Sequence, residues 1–291
     1  MCRRRLAILP LLTPFLALVG CTAIKPLTVP ERMLVMPQTF SHQDFDRVLQ
    51  HFVDDRGRVD YAALKNDARD LERYYLLLST YSPDSHPALF PTEHGKLAYW
   101  LNAYNAAVIK TVLAHYPMAS VEDIKPPFLF FFLPSKSGFF FFQRVIFGDK
   151  TTSLYFLEHR VIRKRFTDPR VHFALNCASR GCPRLPMRAF TAEHLDEQLD
   201  HEARKFVAEE HNFKIDDSGK AVFLSSIFDW YEDDFLKWYQ QQFPGQQATL
   251  LNYVILYLSP DRAEELRGVA ASYQVRFIPY DWRLNDQRGL A

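Results

Sequence analysis

The chain reads as an α+β protein, a single helix-rich domain around a small β-sheet occupying residues 40–286. Three observations carry that reading. Several stretches repeat apolar residues at helical spacing, and a few short runs are rich in β-branched and aromatic residues. No linker and no internal repeat breaks residues 40–286, so one domain is expected rather than two.

Taken in order, Phe45, Val48, Leu49, Phe52 and Val53 fall on one face of a helix that ends near Asp54, Asp55, Arg56 and Gly57. Residues 59–61 read as a short extended piece. Leu64, Ala68, Leu71, Tyr75 and Leu78 then predict one helix. Residues 93–115 form the strongest helix, with no proline or glycine after Gly95 and Pro117 just beyond its end. Residues 153–165 predict another, with Leu154, Leu157, Val161 and Ile162 inward. Residues 191–209 predict a further helix through Leu195, Leu199, Ala203 and Phe206. In residues 171–176 the bulky apolar side chains alternate with His172, Ala174 and Asn176, which predicts a half-buried strand. Residues 221–224 and 273–278 are the other expected strands.

Between them lies an aromatic segment. Phe128, Phe130, Phe131 and Phe132 precede a turn-like stretch at residues 133–138, and Phe139, Phe140, Phe141 and Phe142 follow it, as in a hairpin. Fully aromatic arms are either buried on both faces or rest on lipid or a partner on one. A hairpin dipping into a bilayer would bring Lys136 to the headgroups.

The first 39 residues have a different character. Arg3, Arg4 and Arg5 precede an apolar core from Leu6 to Val19, which is 14 residues long. A bilayer-spanning helix needs about 20, and the layout is that of a secretory signal. Leu18, Val19, Gly20 and Cys21 resemble the lipobox of bacterial lipoproteins, in which the cysteine is lipidated. Residues 1–20 are therefore expected to be a lipoprotein signal peptide, with a lipid such as palmitate carried on Cys21. Thr22, in place of Asp, resembles the outer-membrane sorting pattern. Residues 21–39, with Pro26, Pro30 and Pro37, read as a tether. The expected location is the cell envelope, lipid-anchored at the periplasmic face of the outer membrane.

A formal net charge of +1, with basic residues scattered, gives no case for nucleic acid. No cofactor is expected. Cys2 leaves with the signal and Cys21 takes the lipid, so Cys177 and Cys182 remain. Two thiols five positions apart in an oxidising compartment are able to pair.

Several blocks together resemble a known family. They are Phe52-Val53-Asp54 with Gly57, Val59, Asp60 and Tyr61; residues 98–106; and Ser153-Leu154 with Glu158, His159 and Arg163. The others are residues 172–179 with Cys182-Pro183; Ser226-Ile227-Phe228 with Trp230, Tyr231, Asp233, Asp234 and Phe235; and Tyr280-Asp281-Trp282 with Leu284 and Asn285. In this order they resemble the uncharacterised family called domain of unknown function 547, over nearly the whole chain after the tether. The resemblance implies membership and no established activity. Residues 128–147 depart from the family pattern.

Chemistry is therefore read from side chains. One reading is a cysteine-centred hydrolase or acyl transferase using Cys177, which needs a base or positive field to become a thiolate. His159 or His172 would supply it, Glu158 or Asp281 would orient the ring, and Asn102 or Asn105 would polarise a carbonyl. Glu158 and His159 are adjacent on a helix and so are expected to face different partners. Asn102 and Asn105, buried one turn apart, also suit the simpler task of pinning backbone loops. A second reading is a non-catalytic binding or assembly module in which Cys177 and Cys182 form a structural disulfide. A third is a zinc site from His172, Cys177, Cys182 and His159, whose spacing is wider than in ordinary zinc modules. A redox dithiol fits Cys-x4-Cys least. Asp229, Glu232, Asp233 and Asp234 around Trp230 and Tyr231 read as helix-capping acids and buried aromatics. His94, His115, His194, His201 and His211 read as surface residues.

Overall fold

The computed structural model describes residues 23–25 and 39–289. The span read as a signal peptide and Cys21, read as the lipidation position, lie outside the described residues, as do residues 26–38 of the expected tether. Ile24, within the span read as tether, is buried in the domain: its N–H donates to the Arg144 carbonyl (2.7 Å) and its own carbonyl accepts from Tyr75 Oη (3.0 Å).

The predicted α+β class is observed. Helix α1 (Gln43–Phe52) buries Phe45, Val48, Leu49 and Phe52, the face its spacing predicted. Gly57 takes a left-handed conformation (φ 71°) where the chain turns, and a Cβ there would meet the Arg184 Cβ at 2.5 Å. The single helix expected over Leu64 to Leu78 is two, α2 (Tyr61–Asn66), capped by Asp60, and α3 (Arg69–Thr80). The break falls at Asp67 and Ala68; a residue such as Asp competes for local backbone bonds and so tolerates a helix end. Helix α4 (Glu93–His115) opens on the Thr92 cap and is buried on all sides from Leu97 to Ile109, so the other helices wrap it.

A two-stranded antiparallel ribbon follows, β1 (Val145–Phe147) and β2 (Lys150–Thr152). The helix predicted at residues 153–165 exists in three parts: α5 (Leu154–Phe156) capped by Ser153, a π-helical stretch Leu157–Ile162, and α6 (Arg163–Arg165). The strand predicted at residues 171–176 is instead a helical turn, α7 (Val171–Ala174). All six of those residues are buried, so the alternation marked no solvent-facing side and could not report a strand. Asp168 accepts from the Arg170 N–H (2.9 Å) and sets the turn.

The remaining elements are α8 (Leu195–Ala208), β3 (Phe213–Asp216), β4 (Ala221–Ser225), α9 (Ser226–Trp230), α10 (Glu232–Gln242), α11 (Leu250–Ile255), α12 (Pro260–Val269) and β5 (Gln274–Ile278). Both predicted late strands are present. They pair parallel as β4 and β5, and β3, which the sequence reading missed, pairs antiparallel on the other side of β4. Among the described residues two apolar clusters form the core. One surrounds α4, and the other lies between the three-stranded sheet and α8 to α12. Helix α8 joins them, since Leu195 and Leu199 belong to the first and Ala203, Phe206 and Val207 to the second.

The phenylalanine segment is not a hairpin. Phe128–Phe130 is a 3-10 turn and Gly138–Phe142 a π-helical turn, with no strand in either arm. Gly138 lies so close beneath the Ile124 carbonyl that no Cβ would fit, which fixes the second turn against the chain before the first. Phe139 and Phe142 are buried, whereas residues 128–132 are exposed.

Asn102 and Asn105 do what the simpler reading expected. Asn102 donates to the Phe190 carbonyl (2.8 Å) and accepts from the Phe190 N–H (3.0 Å). Asn105 donates to the Ala174 carbonyl and accepts from the Asn176 N–H, both at 2.9 Å. Each amide is engaged by backbone through both its nitrogen and its oxygen.

Replacing Asn105 by Ala leaves a buried carbonyl and a buried N–H unpaired and is expected to cost about 2–4 kcal/mol in urea unfolding. His42, whose Nδ1 lies 2.7 Å from Tyr74 Oη, has its pKa lowered by burial from 6.5 to about 4, against the opposing pull of Glu193 and Asp46. The unfolded chain protonates His42 near 6.5 and the folded chain only near 4, so this part of the stability is expected to be lost as pH falls through that window. His42→Gln is expected to flatten the pH dependence of the unfolding midpoint between those limits.

Candidate functional site

Helix α4, the irregular helix of residues 154–165, α7, α9 and the C-terminal segment converge on a pocket of about 620 Å³. That is within the size of small-molecule sites. Its wall is largely aromatic: Tyr104, Phe140, Phe141, Tyr155, Trp230, Tyr231, Tyr280 and Trp282. Glu158, His159, His172, Cys177 and Cys182 also border it, so five side chains singled out in the sequence are brought together. Asn102 and Asn105 are not among its lining residues.

Glu158 is buried and accepts two phenol protons, from Tyr231 Oη at 2.5 Å and Tyr104 Oη at 3.2 Å. Burial first, and the Glu158 carboxylate second, hold both phenols well above the ordinary tyrosine value, so they remain donors. The π-helical stretch widens the turn that carries Glu158, a distortion often found at functional sites. His159 goes its own way, as adjacency predicted. Its ring stacks on Tyr155 (centroids 4.2 Å apart) and its Nδ1 lies 3.1 Å from the Tyr155 carbonyl.

His172 is 3% exposed and has Asp234 Oδ2 at 2.9 Å from its Nε2. Burial lowers the His172 pKa, while Asp234 opposes the shift. Burial also acts to raise Asp234, but the bonds from His172 and from Arg163 Nε (2.7 Å) hold that carboxyl well below the usual range. Asp234 is thus the acceptor of this contact, and His172 donates to it from Nε2. Tyr231 stacks on His172 (3.9 Å) and lies under the Arg163 guanidinium (4.7 Å). Asp234 sits in the first turn of α10, where capping was expected, yet its main partners are Arg163 and His172. Its position beside Trp230 and Tyr231 was the available signal for this role.

Cys177 and Cys182 are joined by a disulfide, with Cα atoms 6.0 Å apart. Tyr280 Oη lies 2.9 Å from Cys177 Sγ and 3.0 Å from Cys182 Sγ. In this structure the two sulfurs are bonded to each other, and the imidazoles of His159 and His172 bond Tyr155 and Asp234 and not Cys177. Asp281, the other suggested orienting group, pairs with Arg283. The Cys2His2 zinc arrangement fails for the same reason, and no cluster of three His, Cys, Asp or Glu able to hold a metal occurs among the described residues. Lys136, expected at headgroups, lies over the rings of Trp282 (4.4 Å) and Trp230 (4.9 Å), and burial lowers its pKa. The site as built presents aromatic faces, with Glu158, Lys136, His159, Arg163 and His172 as the ionisable side chains of its lining.

Residues 90–207 match the family described as "Protein of unknown function, DUF547". The chain carries a DUF547 domain. The matched span contains Tyr104, Glu158, His159, Arg163, His172 and the Cys177–Cys182 pair. The rest of the pocket, Trp230, Tyr231, Tyr280 and Trp282, comes from beyond it, as do the resembling blocks at 52–61 and 226–285. No curated protein and no solved structure matches the chain.

In this DUF547 domain the disulfide closes a short loop and is expected to stabilise the fold by about 2 kcal/mol. Cys182→Ser should lower the urea unfolding free energy by that amount. Reductant should do the same to the parent protein and nothing further to the variant.

Proposed function

We propose that the protein is an envelope lipoprotein held by lipid on Cys21 at the periplasmic face of the outer membrane, and that its domain is a non-catalytic binding module. Its ligand is a small amphiphile with an apolar body and one polar head. The observation that carries this reading is the aromatic pocket with Glu158 and Lys136 on its wall and both cysteines bonded to each other. Rings of this kind contribute large contact area and stacking geometry. A cysteine hydrolase needs a thiolate, which the disulfide removes. The leader pattern of residues 1–21 supports the anchor. Among the described residues no helix is long and apolar enough to cross a membrane.

Intact mass of protein purified from envelopes without reductant is expected to show an acylated Cys21 at the first position and no thiol label on Cys177. Anilinonaphthalene sulfonate is expected to bind saturably, and Tyr231→Ala with Trp282→Ala to weaken it about tenfold or more. If Phe131→Ser abolishes the signal instead, the dye sits on the exposed loop and the pocket reading is lost. Fast labelling of Cys177 in the unreduced protein would restore the nucleophile.

A further inference from the structure

Residues 128–132 present the largest run of exposed apolar side chains in the described chain: Phe128 is 84% exposed, Leu129 65%, Phe131 74% and Phe132 69%. Contiguous apolar exposure on this scale marks an interaction surface. The loop is firmly rooted. The Phe130 ring packs on Phe142 (5.1 Å), Phe139 behind it is wholly buried, and the Gly138 backbone is pressed against Ile124. Lys125, at its base, reaches Ser135 Oγ (3.3 Å) and keeps a positive charge at its edge.

The start of the described chain is tied to the segment that follows this loop. Ala23 bridges to Arg144, and Ile24 is bonded to Arg144 and Tyr75. Arg144 is two residues from Phe142, whose ring touches Phe130. Chain geometry keeps Cys21 within about 7 Å of Ala23. A lipid on Cys21 would therefore enter the bilayer next to the exposed phenylalanines, not at the end of a long tether.

We infer that the loop of residues 128–132 inserts into the same membrane leaflet as the lipid on Cys21 and turns the mouth of the pocket toward the bilayer. The inference rests on the envelope reading of the leader, and it supplies the source of the ligand, a membrane amphiphile. Leu133 and Pro134, which follow the loop directly, line the pocket. So do Phe141 and Tyr155, and Phe141 packs on both Tyr155 and the half-exposed Phe156. The apolar surface thus runs from the loop tip to the pocket rim. A second copy of the chain is a poorer occupant, because a stable interface engages about 20–30 residues a side and this loop offers five. Aromatic side chains flanked by a basic residue suit the interfacial region of a bilayer.

The test uses the mature chain from position 21 with Cys21→Ser; both apolar clusters lie within residues 24–284, so the leader is not needed for folding. This protein is expected to float with vesicles of phosphatidylethanolamine and phosphatidylglycerol. Phe128→Ser, Phe131→Ser and Phe132→Ser together should reduce partitioning about tenfold or more, with unchanged circular dichroism. Tryptophan emission from Phe131→Trp should be quenched by brominated lipid. Absence of both flotation and quenching overturns the inference, as does a loop-dependent dimer in sedimentation that ignores vesicles. Glu158→Gln should float as the parent does, so loss of dye binding in the pocket and loss of membrane insertion are read separately.

Discussion

The amide of Asn105, on a helix that has no exposed middle, is the contact from which the site hangs. Its two bonds hold the chain at Ala174 and Asn176, directly after His172 and before Cys177. Asn176 passes the constraint on, donating to the Pro183 carbonyl and accepting from the Ala178 N–H and from Asn285 Nδ2. Asn285 in turn accepts from Tyr61 Oη (2.8 Å) and ties the C-terminal segment to α2. Each of these groups is buried, where an unmade hydrogen bond costs far more than a made one contributes. The network is therefore all or nothing. It sets the cysteine loop, the position of His172 and the path that brings Tyr280 and Trp282 to the pocket.

The second level of order is electrostatic. Glu158 is satisfied by two phenols, and Asp234 by an imidazole and a guanidinium, so the pocket wall contains charges that are already partnered. Such partners hold these side chains in fixed orientations before a ligand arrives. The disulfide has the same consequence for Cys177. A rigid, pre-satisfied, aromatic wall is what a binding site needs, since little has to be ordered when the ligand enters.

Both π-helical turns found among the described residues, Gly138–Phe142 and Leu157–Ile162, contribute to the pocket wall. There the chain gives up regular hydrogen bonding to place Phe140, Phe141, Glu158 and His159 on one surface. The same irregularity leaves residues 128–132 outside every core. The sequence shows eight phenylalanines in two clusters; the second, rooted where Gly138 packs against Ile124, buries Phe139 and Phe142, while the first stays exposed.

Much of the fold was legible because helical spacing and caps are local. Glu93–His115, Leu195–Ala208 and the two late strands follow from residues within a few positions of one another. Residues 171–176 were misread because a short run buried on every side carries no periodic signature, and the family blocks located the cysteine pair without fixing its bonding. Sequence alone determined the α+β class, the buried amides of α4 and a pair of cysteines close enough to join. The tertiary structure decided that Asp234 belongs to His172 and Arg163, that Lys136 lies over two tryptophans, and that Ile24 is held by Arg144 and Tyr75. Those pairings span tens of residues, and only the packing of distant helices around α4 brings their partners within bonding distance.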